Sequence, residues 1–133
     1  SHALRAGIVS ALDKAHGLSG VDAVVLIGDG RTFPAGADIG EFKNFELAMK
    51  TPSLTEVHEH MEQSSLPTVA ALHGTALGGG LETALACHWR VASPRTRVGL
   101  PEVHLGILPG AGGTQRLPRL IGVEQALAMM TSG

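Results

Sequence analysis

The chain has one cysteine, Cys87, so it can form no internal disulfide, whereas the frameworks of small secreted domains use even numbers. It has no tyrosine, and aromatics make up only 3% of its residues, which leaves no material for a base-stacking platform. Its 10 basic residues are scattered among 133 and the net charge is −2, so the electrostatic footprint of a nucleic-acid binder is missing. The longest apolar run near the start, Ala23 to Ile27, is far too short to cross a bilayer. Residues Ser1 to His16 are amphipathic and charged, without the separate apolar core of a signal peptide. Together these absences point to a soluble intracellular protein. Hydrophobic residues reach 44%, which argues against disorder, and the length suits one domain. Glycine is abundant at 18 residues, and the glycines cluster.

Ser1 can cap a helix that carries Leu4, Ile8, Leu12 and Ala15 on one face, ending at Gly17 to Gly20. Val21 to Ile27 reads as a buried strand, rich in β-branched residues and followed at once by a glycine turn. A second helix is expected from Ser53, with Glu56 three residues on completing a capping box. Pro67 to Leu72 reads as a second buried strand. Gly78 to Gly80 then leads into a short helix, Leu81 to Cys87. Trp89 to Ala92 and Arg97 to Leu100 read as extended, Pro101 to Gly113 as a loop, and Val123 to Met130 as a final helix. The fold class is α/β. Strand, glycine loop and helix occur twice, at Ile27 to Ile39 and at Leu72 to Cys87, and in α/β layers ligands bind where such loops lie.

Two of these loops, Ala35 to Asp38 and Ala76 to Gly80, are built of small residues at helix starts and leave backbone N–H groups uncovered. Two such groups can converge on one oxygen that gains charge, forming an oxyanion hole. Alternatively, the glycines only permit close strand-to-helix packing. Phosphate binding fits worse: Gly110 to Gln115 lacks the Lys-Ser/Thr ending of a P-loop, and Gly28 to Gly30 has Phe33 where a third glycine is needed.

Glu82 follows the triple glycine in a first helical turn, where the helix dipole favours negative charge. Helix-start acids are common, but the apolar residues after it suggest a buried helix, and a buried carboxylate needs a reason. Glu102, the only acid between Glu82 and Glu124, lies among Gly99, Leu100, Leu105, Gly106 and Ile107. It is either a surface residue of a turn or an active-site acid whose pKa is raised by desolvation. His58 and His60 are two apart and do not share a helical face, so they read as solvated residues rather than metal ligands. His73, His88 and His104 read as packing or hydrogen-bonding groups, Cys87 as a small buried residue. No metal is expected.

Four blocks of sequence now align with a known family. Ala35-Gly-Ala-Asp-Ile39, Gly74 to Glu82, Gly99-Leu-Pro-Glu102 and Leu105 to Leu117 resemble, in order and together, the enoyl-CoA hydratase/isomerase (crotonase) superfamily. Cys87-His88, Val98 to Val103 and Leu117 to Leu120 are most similar to the hydratase/isomerase part of multifunctional β-oxidation enzymes, which carry a hydroxyacyl-CoA dehydrogenase region further along. The resemblance implies a spiral of repeated ββα turns, of which residues 1–133 are the central part of one acyl-CoA domain without its first strands and last helices. It implies that Glu82 and Glu102 are the catalytic acids and that the N–H groups of Ala37 and Gly79 form the oxyanion hole. It also implies that Ala35, Ala37, Asp38, Ile39, Gly78, Gly79, Pro109 and Gly110 contact the acyl-CoA, Gly110 helping to hold the catalytic water. The implied activity is hydration of trans-2-enoyl-CoA, with enoyl-CoA isomerisation as a side activity. The alternatives within the scaffold are isomerisation alone, thioester hydrolysis, or non-catalytic acyl-CoA or RNA binding. No cofactor is implied, since the coenzyme A thioester is the substrate, and no nucleic-acid or membrane partner. Expected assembly is a trimer-based homo-oligomer or a place in a longer multifunctional chain, in the cytoplasm or in a peroxisomal or mitochondrial matrix.

Overall fold

The computed structural model describes residues 1–36 and 50–133. Helix α1, His2–His16, starts at Ser1, whose side chain accepts from the Leu4 N–H. Its inward face is shifted from the expected one: Leu12 is buried and Ile8 and Val9 pack against the core, while Leu4 is 49% exposed. Helix α2, Leu54–Glu62, begins at the expected capping box, Ser53 with Glu56, which satisfies two end donors reciprocally. Its inward stripe is Val57, His58 and Met61, spaced for one helical face. Arg5 Nε donates to the Pro52 carbonyl at 2.8 Å, and His60 Nε2 lies 2.8 Å from Asp13 Oδ1, so α1 and α2 are tied side by side.

Strands β1 (Val24–Ile27), β2 (Thr68–Leu72) and β4 (Trp89–Ala92) form a parallel sheet in the order β1-β2-β4. Val25, Val69 and Trp89 are register partners on one face, with Ile27, Ala71 and Val91 beside them. That face is open. Val25 and Ile27 are exposed, as are Trp89 and Val91, so β1 is half-buried rather than buried on both sides. Among the described residues no layer covers it. The opposite face, with Ala70 and Leu72, packs into a core that includes Phe33, Met61, Leu81 and Leu85.

A second parallel pair, β3 (Thr75–Leu77) with β5 (Arg97–Gly99), turns the chain into the glycine loop. Strand β3 escapes a reading of the sequence because three residues are too few to show periodicity. Helix α3, Gly79–Ala86, is buried from Gly80 onward. The stretch expected to be a loop holds a 3₁₀ helix, Pro101–Leu105, and ends at α4, Gly113–Ile121. Helix α4 is likewise invisible to pattern, because Pro118 inside it and Gly112 before it are ordinarily breakers. Helix α5, Val123–Ser132, follows after Gly122.

Candidate active site

Helix α3 can begin where it does because Gly78 adopts φ 51°, ψ −131°, a conformation that side chains strongly disfavour. This places Glu82 in the first turn, 2% exposed. Its Oε1 accepts two backbone hydrogen bonds, from the N–H groups of Ala111 and Gly113, each at 2.8 Å. Gly113 opens α4 and its N–H is one of the donors a helix leaves unused at its start. A Cβ on Gly113 would stand 2.9 Å from Oε1, so the approach needs glycine. Among the described residues, no hydrogen bond reaches Glu82 Oε2.

Glu102 lies in the first turn of the 3₁₀ helix. Its Oε2 is buried and makes no hydrogen bond among the described residues, a rare state for a polar atom. Burial raises its pKa above the ordinary carboxylate value, a hydrogen bond from its own backbone N–H opposes the rise, and the nearby Glu82 carboxylate adds to it. The glycine loop touches it directly: a Cβ on Gly78 would stand 3.1 Å from Glu102 Oε1 and 3.7 Å from the Gly36 Cα. The Gly78 N–H donates to the Gly99 carbonyl at 3.0 Å, which anchors the loop to β5. No acceptor for the Gly79 N–H lies among the described residues.

The sequence-predicted residues therefore divide. Gly78, Gly79, Glu82 and Glu102 come together with the end of the 33–36 loop. A Cβ on Gly80 would stand 3.3 Å from the Ala35 backbone nitrogen, so Ala35 adjoins the same helix start. Pro109 is buried beside Gly113, and Gly110 is exposed next to the Ala111 donor. Ala37, Asp38 and Ile39 lie outside the described residues, and with them one half of the expected oxyanion hole.

The model of the family described as enoyl-CoA hydratase/isomerase matches residues 1–133. The chain belongs to that family. It is 48% identical over 133 residues to the peroxisomal bifunctional enzyme of Danio rerio, a match that covers 100% of this chain and 18% of that protein. It is 47% identical over 133 residues to the fatty acid oxidation complex subunit alpha of Shewanella amazonensis, covering 95% of this chain and 19% of that protein. The crystal structure of an enoyl-CoA hydratase from Bacillus anthracis superposes with a TM-score of 0.91 at 39% identity, over 100% of this chain and 53% of that one. The architecture is thus the expected crotonase fold. The chain spans less than a fifth of the two curated relatives and about half of the solved enzyme.

In this crotonase chain one histidine stands elsewhere than its sequence suggests. His58, expected in solvent, is fully buried. Its Nδ1 is 3.0 Å from the Ala111 carbonyl oxygen, and its Nε2 is 3.0 Å from Thr83 Oγ1. A carbonyl only accepts, so Nδ1 carries the hydrogen in the neutral ring. The signal is present in the sequence: Leu54 and Met61, four residues before and three after, mark His58 as facing the core. Burial, helped by the Arg116 charge, lowers its pKa from 6.5 to about 4, while the Ala111 carbonyl and Glu62 oppose the fall.

Unfolded, the same histidine binds its proton with an ordinary pKa. The unfolded chain therefore holds more protons between pH 6.5 and about 4, and stability declines as pH falls through that window. The loss attributable to His58 is about 3 kcal/mol by pH 4. Urea midpoints between pH 7 and 4.5 should drop less steeply in a His58→Asn variant; identical slopes would contradict the assignment.

His73, His88 and His104 serve as hydrogen-bonding groups, one of the two roles expected of them. His88 Nδ1 meets Thr68, His73 Nε2 lies 3.3 Å from the Gly30 carbonyl, and His104 Nε2 lies 3.0 Å from the Ser132 carbonyl. Burial pushes the Cys87 thiol up to about 11, so it stays protonated and unreactive. Among the described residues no group of three or more His, Cys, Asp or Glu is placed to hold a metal, and no helix is long and apolar enough to cross a membrane.

Proposed function

We propose that the protein is an enoyl-CoA hydratase, converting trans-2-enoyl-CoA to 3-hydroxyacyl-CoA, with enoyl-CoA isomerisation as a side activity. One observation carries the reading: the buried, unpartnered Glu102 Oε2 beside a second buried carboxylate that two amides hold still. A carboxyl with a raised pKa and one oxygen that makes no hydrogen bond among the described residues is suited to exchange a proton with substrate. In hydration, water adds to Cβ and a proton to Cα. Glu82 Oε2 orients the water and accepts its proton as the C–O bond forms. Charge moves to the thioester oxygen as an enolate, where the Gly79 N–H and that of Ala37 stabilise it. Glu102 delivers the proton to Cα.

Isomerisation requires only removal and return of a proton, for which Glu102 suffices. The Oε2 atom, without a hydrogen bond among the described residues, favours that second reading alongside the first. The coenzyme A thioester enters as substrate, without a resident cofactor, and the family resemblance supports a trimer-based oligomer or a multifunctional chain. The test is the full-length protein with crotonyl-CoA, following loss of the conjugated enoyl thioester absorbance and identifying the product. A 3-hydroxyacyl product is expected. Absence of turnover in well-folded protein rejects the hydratase reading, and a hydrolysed thioester would replace it.

A further inference from the structure

The amide clamp on Glu82 is itself held from behind. The Ala111 carbonyl lies in the chain between the two N–H donors, those of Ala111 and Gly113, that reach Glu82 Oε1. That carbonyl accepts from His58 Nδ1 at 3.0 Å and from Arg116 Nη1 at 2.8 Å. Arg116 is in turn gripped by Glu62 through two bonds, at 2.7 and 2.9 Å. On its other side His58 meets Thr83, the residue next to Glu82 on α3. His58 therefore bridges the helix that carries the acid and the loop that binds the acid's oxygen.

We propose that His58 is a positioning residue for Glu82: by holding the Ala111 carbonyl, it sets the direction in which the flanking N–H groups converge on Oε1 and so aims Oε2 at the reacting water. The inference rests on the reading of Glu82 as the water-orienting acid. Of the two groups behind the loop, His58 is the rigid one. Its ring is wholly buried and has two rotatable bonds, whereas Arg116 and Glu62 keep part of their side chains in solvent. Without the ring, the Ala111–Gly112 peptide loses its inner donor, and rotation of that peptide swings the donor on either side. A displacement of about 1 Å at a catalytic group can lower a rate roughly 100-fold. The competing account is a core histidine that contributes packing and stability alone.

The variants are made in the full-length protein and assayed with crotonyl-CoA, with Glu82→Gln in parallel. His58→Leu should lower kcat for hydration by about 10- to 100-fold with KM changed less than about 2-fold. His58→Asn, whose amide nitrogen replaces ring Nδ1, should restore most of kcat. His58→Gln places its amide toward Thr83 instead and should stay impaired. If the Leu variant does not fold, the contrast between Asn and Gln decides: equal kcat in the two overturns the proposal. Wild-type kcat in His58→Leu, or a loss confined to thermal stability, overturns it as well. Should Glu82→Gln itself keep full hydration, the reading of Glu82 fails and takes this inference with it. A dead Glu82→Gln beside a fully active His58→Leu removes only the role of His58.

Discussion

Replacing Glu102 with Gln is expected to lower hydration of crotonyl-CoA by roughly 10²- to 10⁴-fold, the range of general acid–base contributions. Thermal stability should stay the same or rise. Both halves follow from one observation: Oε2 is buried without a hydrogen bond among the described residues, and burial together with the Glu82 charge raises the Glu102 pKa. A carboxyl with a raised pKa binds its proton more tightly folded than unfolded. It therefore favours the folded state at low pH, and that support is lost as pH rises above the ordinary value. The charged form is the one that burial disfavours, and the neutral amide avoids it while keeping shape. An acid placed for stability would give the reverse outcome, an active but weakened protein. Steady-state kinetics and a thermal melt on the same preparation distinguish the two. Undiminished turnover in Glu102→Gln would remove Glu102 from the chemistry.

Gly80→Ala should destabilise the protein by about 3 kcal/mol or more, the upper range for forcing atoms into filled space. Glycine is needed at that position for contact, not for an unusual dihedral angle. A Cβ there would stand 1.7 Å from the Pro34 carbonyl oxygen and 2.5 Å from its carbon, both backbone atoms that no rotamer change can move aside. Phe33, fully buried in the core, prevents the 33–36 loop from simply retreating. Relief must come from separating α3 from that loop. The same separation would pull the Gly78 and Gly79 backbone away from Gly36, so activity should fall with stability. Gly7 is the contrasting case. It lies mid-helix in α1, a Cβ added there would meet nothing within 4 Å, and Gly7→Ala should gain roughly 0.5–1 kcal/mol. Urea denaturation of the two variants beside wild type checks both. A Gly80→Ala protein with the wild-type midpoint would show that α3 packs more loosely on the loop than these distances require.

Local chemistry is readable wherever a residue acts on its own neighbours along the chain. The Ser53–Glu56 capping box and the end of α1 at Gly17 depend on residues within four positions, and both are found as expected, whereas α3 starts inside the triple glycine, at Gly79, two residues before the expected Leu81. Periodicity fails where elements are short or carry a breaker, as in three-residue β3 and in α4 with its internal Pro118. The candidate acids are legible for a different reason. A charged residue in an apolar, glycine-rich stretch stands out against its surroundings, and both Glu82 and Glu102 do so in the bare sequence.

What the linear order of residues determined by itself is the Ser1 and Ser53 caps, the glycine loops, the two candidate acids and the family to which the chain belongs. Only the tertiary structure decided how each acid is held. The donors to Glu82 come from 29 and 31 residues further along the chain, and the buried partner of their loop, His58, lies 53 residues before Ala111. No spacing rule reaches across such distances, because they are closed by packing of α2, α3 and the start of α4 and not by any local turn. The same applies to the unpartnered oxygen of Glu102. Whether a carboxylate is satisfied depends on every group folded around it, which becomes fixed only when the chain is in three dimensions.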